Sequence, residues 1–413
     1  MRSVSKLFCL GLALAAVFTT SACSYHQKED SVSGDVQVQV PTYSQGQYQM
    51  SVMSLTSIVD LTHLKGAAAH FLIDPHVFKN QLRGRQPEIH YMRNSHGVIV
   101  PTDADSLQLL TVYSQFEKLH QLDQSLNVAS ANKWPVTVAV NALTKDTVTG
   151  GVQEDNAFYT GQFDAYLFAP YTQNQLPLMV NAGVLAHEHF HSLYQHLVID
   201  PLGDKYPDAS KPTGHDDVAR LKKFGLAVGI DEDLTSDDNP SADSRVKYHS
   251  LLLRGVNEGL ADVWGWIFTG DVSFVGRSLK SQEYNRNLDI PVNWLDTKAQ
   301  LMMDISTKSD LSGVPYEIGP QVARTMKTLM QKHYSTLSDV EVRRKMAELV
   351  VKILPVLRDK IGSLKSDESL SLTDIITTMT SQISDLTSAD CQFIDQLIPS
   401  SDRSASYKCG AAQ

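Results

Sequence analysis

The stretch Val184-Leu185-Ala186-His187-Glu188-His189-Phe190-His191 decides how this chain is read, and Asn257-Glu258-Gly259-Leu260-Ala261-Asp262 is its complement. On an α-helix, residues four apart share a face, so His187 and His191 direct two imidazoles to one point with Glu188 beside them. A hydrolytic zinc site keeps three protein ligands and one open position, and a carboxylate is a usual third ligand. Glu258 is the candidate for it. Asp262, one turn later, is spaced to accept the free ring N–H of a liganding histidine. His189 lies about 200° around the helix from His187 and is not counted as a ligand. Phe190, Leu193, Tyr194 and Leu197 fall at helical spacing, which predicts an amphipathic helix with one buried side and the histidines near its edge.

The N-terminus reads as an export signal: Arg2 and Lys6, an apolar run from Leu7 to Phe18, then Ser21-Ala22 before Cys23. Small residues before a cysteine are similar to the lipobox of bacterial lipoproteins. That likeness implies cleavage after residue 22 and a lipid anchor on Cys23, and Ser24 by the same likeness implies the outer membrane, facing periplasm or exterior. An ordinary secretory signal ending near a cysteine is the alternative. Loss of residues 1–22 removes Arg2 and Lys6 and takes the net charge from −10 to −12, which argues against nucleic acid as a partner. No later run is long and apolar enough to span a bilayer. Cys391 and Cys409 remain, and in an oxidising compartment two such cysteines can close a disulfide.

From about Ser24 to Met50 the chain is rich in Ser, Gln, Val and Tyr, and by composition reads as a flexible tether, domain residues 23–50. A short mixed segment follows. Asp103 to Leu126 predicts a helix with Asp103 or Asp105 as cap, and Trp134–Leu143 and Phe158–Phe168 predict strands feeding the metal helix. Pro201 to Gly214 is turn-rich, and Asp231 to Asp243 is densely acidic; a solvated loop is the preferred reading of the acidic run, and a Ca2+ loop the alternative. Helices are expected from Arg245 through Trp266 and over Gln321–His333, Asp339–Leu357 and Leu372–Leu386. The fold class is therefore α+β, with an N-terminal α+β lobe over 51–200 and a mainly helical lobe over 201–413.

Four words in order resemble those of thermolysin-like zinc metallopeptidases, within the gluzincin group. Asn156-Ala157-Phe158-Tyr159-Thr160-Gly161 resembles the edge strand of their cleft, Val184–His191 their active helix, Asn257–Gly265 their glutamate helix, and Gly276-Arg277-Ser278-Leu279 the turn whose arginine contacts substrate. The similarity spans about residues 105 to 330. It implies a zincin-like two-lobe fold, Zn2+ on His187, His191 and Glu258, and Glu188 as general base in the hydrolysis of internal peptide bonds. It further implies that Asn156 and Ala157 hold substrate backbone and that Arg277 donates to a substrate carbonyl or carboxylate. Two departures stand out. The interval from His191 to Glu258 is long, so an insertion over 192–257 must loop away from the site. In Gly313-Val314-Pro315-Tyr316-Glu317-Ile318-Gly319, proline stands where the family has its transition-state histidine, and Tyr316, whose phenol can donate to an oxyanion, is the natural substitute. Tyr248 and His249 lie near the family's second helper.

Two other readings remain: an aminopeptidase of the same zinc class, and a non-catalytic cell-envelope lipoprotein on a peptidase scaffold. The first lacks an acidic segment for a free amine. Retention of Glu188 weighs against the second.

Overall fold

The computed structural model describes residues 32–145, 152–203, 244–292, 297–308, 311, 313–364 and 370–397. The export signal, Cys23, the acidic run, most of the 192–257 insertion and Cys409 lie outside them. The architecture is mixed α+β, with two five-stranded sheets and several helices.

The first sheet opens with a long hairpin, β1 (Gly34–Ser44) and β2 (Gln47–Asp60), antiparallel with Val38 opposite Met53. Val36, Val38 and Val40 are buried while Gln37 is exposed, the period-2 alternation of a strand with one face on a core. The expectation of a tether over 23–50 is thus corrected from residue 34 onward: alternating valines, rather than the abundance of polar residues, decide the local structure. The sheet is completed by β3 (Lys65–Gly66), β6 (Tyr91–Arg93) and β7 (Ile99–Pro101), in the order β3-β2-β1-β7-β6.

The second sheet runs β11-β12-β8-β4-β5, from β4 (Ala69–Phe78), β5 (Gln81–Arg85), β8 (Val136–Val140), β11 (Ala157–Thr160) and β12 (Ala165–Phe168). A short ribbon pairs β9 (Thr144–Lys145) with β10 (Val152–Gln153). Among the described strands β11 pairs with β12 alone and forms the sheet's edge. Tyr159, Tyr166, Phe168 and Val138 join the main core, whereas Phe158, Leu167, Ala139 and Leu72 form a small second cluster, so this sheet is apolar on both faces.

Helix α1 (Ala104–Ser125) starts at Asp103, whose carboxylate accepts from Ser106 N at 2.7 Å, and packs against β1, β2 and β7 on one side and the metal helix on another. The metal helix α2 (Ala182–Tyr194) is buried along its whole length, so the expectation of one buried side is also corrected: α1, β11 and the helix α3 (Ser244–Thr269) surround it. After α3 the described chain is helical apart from its connections: α4 (Phe274–Ser278), α5 (Thr297–Thr307), α6 (Pro315–His333), α7 (Asp339–Gly362), α8 (Leu372–Thr380) and α9 (Ser388–Leu397). The helix expected over Leu372–Leu386 is cut short at Thr380, and Cys391 on α9 is disulfide-bonded.

Candidate metal centre

Helices α2 and α3 cross close together because small residues meet at the crossing. A Cβ on Gly265 would stand 2.9 Å from Gly183 O, and the ring of Phe274 lies across both glycines, 2.4 Å from a Cβ on Gly183 and 2.5 Å from one on Gly265. Helix α6 seats equally closely: a Cβ on Gly319 would lie 2.9 Å from Glu258 Cβ, and one on Gly259 only 2.5 Å from Gly319 O. Only glycine permits such approach. The ligand helices are therefore held by backbone contact, with little side-chain slack.

This packing brings the predicted ligands together. His187 Nε2 stands 3.1 Å from His191 Nε2 and 3.4 Å from Glu258 Oε2, and His191 Nε2 is 3.7 Å from Glu258 Oε1. A tetrahedral ion bound about 2.05 Å from each ligand atom separates those atoms by about 3.3 Å. The separations lie around that value, with Glu258 turning Oε2 to His187 and Oε1 to His191, and all three residues are buried. The group can hold a metal ion.

Behind it, His187 Nδ1 lies 3.1 Å from Asp262 Oδ1. Arg286 Nε donates to Asp262 Oδ2 at 3.0 Å, and its Nη2 pairs with Oδ1. Arg286 Nη2 also approaches His187 Nδ1 at 3.3 Å, but a guanidinium has no acceptor, so the Nδ1 proton belongs to the Asp262 contact. Burial works to raise the Asp262 pKa; the charge of Arg286 and the hydrogen bond to His187 overcome it and leave the carboxyl below its usual range. Burial alone would depress His187, yet its bonds to Asp262 and then Glu258 push it up to about 9. His191 falls to about 4 because burial outweighs the favourable charge of Glu258. Of the three, His187 is the one whose surroundings favour the protonated form.

Glu188 faces the same site from α2. Burial pushes its carboxyl up to about 7, His187 opposing and Glu258 adding to the rise. Its Oε2 accepts from Tyr159 N on the edge strand at 3.0 Å. A cavity of about 380 Å³ opens here, lined by His187, Glu188, Asn156, Ala157, Arg286 and Tyr316, with Leu178, Val184, Phe274, Val275 and Leu279 as its apolar wall.

Of the residues expected at the site, His187, Glu188, His191, Glu258, Asp262, Asn156, Ala157 and Tyr316 converge on this centre. Arg277 lies outside the cavity lining: its guanidinium pairs with Asp271 and donates from Nη2 to Tyr43 Oη at 2.9 Å. The arginine in the cavity is Arg286, whose Cζ stands 5.5 Å from the Tyr316 ring centroid. His249 Nε2 accepts from Leu370 N at 2.8 Å, and neither it nor the buried Tyr248 lines the cavity. His189 turns to the opposite side of α2, where Nε2 meets Asp123 Oδ2 at 3.0 Å and Nδ1 meets Tyr166 Oη at 3.0 Å. No sequence signal announced Arg286 or Asp123, since neither belongs to a recurring word.

No protein-family model matches this chain, and no curated protein matches it.

Proposed function

We propose that this protein is a zinc-dependent endopeptidase of the gluzincin type, with a zincin-like arrangement of an N-terminal α+β lobe and a mainly helical C-terminal lobe. The observation that carries the reading is the ligand triangle at near-tetrahedral spacing with Glu188 on the same cavity wall. Two imidazoles and one carboxylate, backed by an Asp–His contact, form a donor set suited to zinc. The ion supplies Lewis acidity toward a carbonyl oxygen and toward water.

The chain's own groups supply the remainder. Glu188, raised by burial and fixed through one oxygen by Tyr159 N, accepts a proton from water and delivers it to the leaving amine. Arg286 and Tyr316 are donors that the cavity lining offers to a developing oxyanion. The outer edge of β11, beginning beside Asn156 and Ala157, suits an extended peptide that adds to the sheet. Tyr316 lining the cavity favours an enzyme over an inert scaffold, because it restores a donor where Pro315 supplies none.

In the same reading the export signal and a lipid on Cys23 hold the enzyme at the cell envelope. No described helix is long and apolar enough to cross a membrane.

Metal analysis of the purified chain, with chelator-sensitive cleavage of an unstructured protein, tests the function. Glu188→Gln is expected to retain zinc and lose cleavage. A folded chain without zinc or proteolysis would overturn the proposal.

A further inference from the structure

The tip of the β1–β2 hairpin, far from the site in sequence, touches the ends of two elements that wall the cavity. Tyr48 Oη accepts from Ala182 N at 2.8 Å and donates to Asn181 Oδ1 at 3.4 Å. Asn181 is the cap of α2: its Oδ1 accepts from Gly183 N at 3.1 Å and Val184 N at 3.4 Å. The first N–H of a helix has no intrahelical partner, and Asn181 is occupied with the next two, so Tyr48 supplies the acceptor that Ala182 needs. Asn181 Nδ2 in turn donates to Phe274 O at 2.7 Å and Ser278 Oγ at 2.8 Å, tying the start of α2 to α4.

The same tip holds α4 independently. Arg277 donates to Tyr43 Oη at 2.9 Å and to Gly46 O at 3.2 Å, with its Cζ 4.9 Å from the Tyr43 ring centroid. The Tyr43 and Tyr48 rings meet edge to face, centroids 5.4 Å apart. One rigid pair of rings thus grips the helix carrying His187, Glu188 and His191 and the helix carrying Phe274 and Val275.

We propose that the hairpin tip is a positioning device for the metal centre and its cavity: Tyr48 fixes the ligand helix, Tyr43 with Arg277 fixes the facing wall, and the hairpin sets the distance between them. The proposal rests on the metal-centre reading above. Neither tyrosine touches the reacting groups, so both are positioning residues.

Tyr48→Phe and Tyr43→Phe each remove one hydroxyl and keep the ring. Zinc affinity is read by competition with a chromogenic chelator, ligand geometry by the visible spectrum of the Co2+-substituted protein, and stability by thermal unfolding of the metal-free chain. Peptidase KM and kcat complete the set. Tyr48→Phe is expected to weaken zinc binding about fivefold, the scale of one lost helix cap, and to alter the cobalt spectrum. Tyr43→Phe is expected to act on KM more than on kcat, since it removes one of the ties on the cavity wall and leaves the ligand helix capped. Wild-type zinc affinity, cobalt spectrum and KM in both variants, with only unfolding temperature changed, overturns the clamp while leaving the metal centre standing. Failure of the wild-type chain to bind zinc overturns the metal-centre reading and this proposal together. Should Tyr48→Phe fail to fold, Tyr43→Phe decides alone through KM.

Discussion

His187 Nδ1 and Asp262 Oδ1 stand 3.1 Å apart at the bottom of the centre, with the Arg286 guanidinium on the same carboxylate. The carboxylate fixes which ring nitrogen of His187 keeps its proton and so presents Nε2 to the ligand triangle. Asp262→Asn preserves shape and removes charge, and is expected to lower zinc affinity by about tenfold or more. Asp262→Ala would confound the result by leaving Arg286 buried beside a vacancy. Chelator competition on the Asn variant gives the answer; undiminished affinity would show that the contact does not tune the ligand.

The raised His187 makes metal uptake depend on pH. His187, pushed up to about 9 by Asp262 and Glu258 against burial, is protonated in the metal-free state at neutral pH, and that proton must leave when an ion binds. Zinc affinity is therefore expected to climb by about tenfold per pH unit from neutrality and to level off once the pH passes the His187 value. Titrating zinc binding at several pH values checks this, and a flat profile across that range would contradict it.

Gly319→Ala inserts a methyl 2.9 Å from Glu258 Cβ and 3.0 Å from Gly259 N. Backbone cannot give way as a flexible side chain does, so α6 must shift from α3. The metal-free protein is expected to lose about 1–3 kcal/mol in denaturant unfolding, and zinc affinity should fall in parallel because the displaced contact adjoins a ligand. A stability loss with unaltered zinc binding would mean that Glu258 is held by other contacts.

A separate pair ties the edge strand to the continuation of α2. His196 Nε2 lies 3.1 Å from Asp164 Oδ1 and its Nδ1 2.8 Å from Asp200 Oδ2, while Tyr159 Oη donates to Asp164 at 2.9 Å. The bond to Asp164 raises the His196 pKa, burial opposing and Asp200 assisting. A raised histidine stabilises fully below its unfolded value, near pH 6.5, and loses that contribution as pH rises through the folded value. Asp164 is depressed despite burial, by its bonds to His196 and Tyr159, so its share persists until pH falls through its lowered value. Between those limits His196→Asn should be less stable than wild type by about 1 kcal/mol, allowing for partial solvent screening. Above the folded His196 value the two should converge. Urea titrations run in parallel at increasing pH measure the gap, and a difference that stays constant as pH rises would exclude the ionic origin.

The centre was legible because helical geometry converts spacing directly into position. His187 and His191, or Glu258 and Asp262, need only a helix to share a face, and those helices form where the apolar periodicity indicates. What escaped depended on contacts between remote parts of the chain. Asp123 meets His189 across 66 positions and Tyr48 meets Asn181 across 133, distances over which no local pattern speaks. Arg277 sits inside a familiar word, yet Asp271, six residues earlier, takes its guanidinium, and Arg286 reaches the cavity without any word at all. The first sheet is hidden for a different reason. Val36-Gln37-Val38-Gln39-Val40 alternates as a strand should, but the polar composition of residues 24–50 masks an order that lies in the positions of the glutamines and not in their number.

Phe274 gives the site an unusual economy. Its ring covers the two glycines where α2 and α3 cross, and it also walls the cavity beside His187, ring centroids 6.4 Å apart. The benzene ring thus covers the crossing of the two helices and is also a surface that a bound side chain meets. A smaller residue there would widen the pocket and leave the two glycines without cover, loosening the crossing that sets the ligand triangle in the same stroke. Side-chain preference and metal geometry are mechanically joined at this residue, and variants that retune one should carry the other with them.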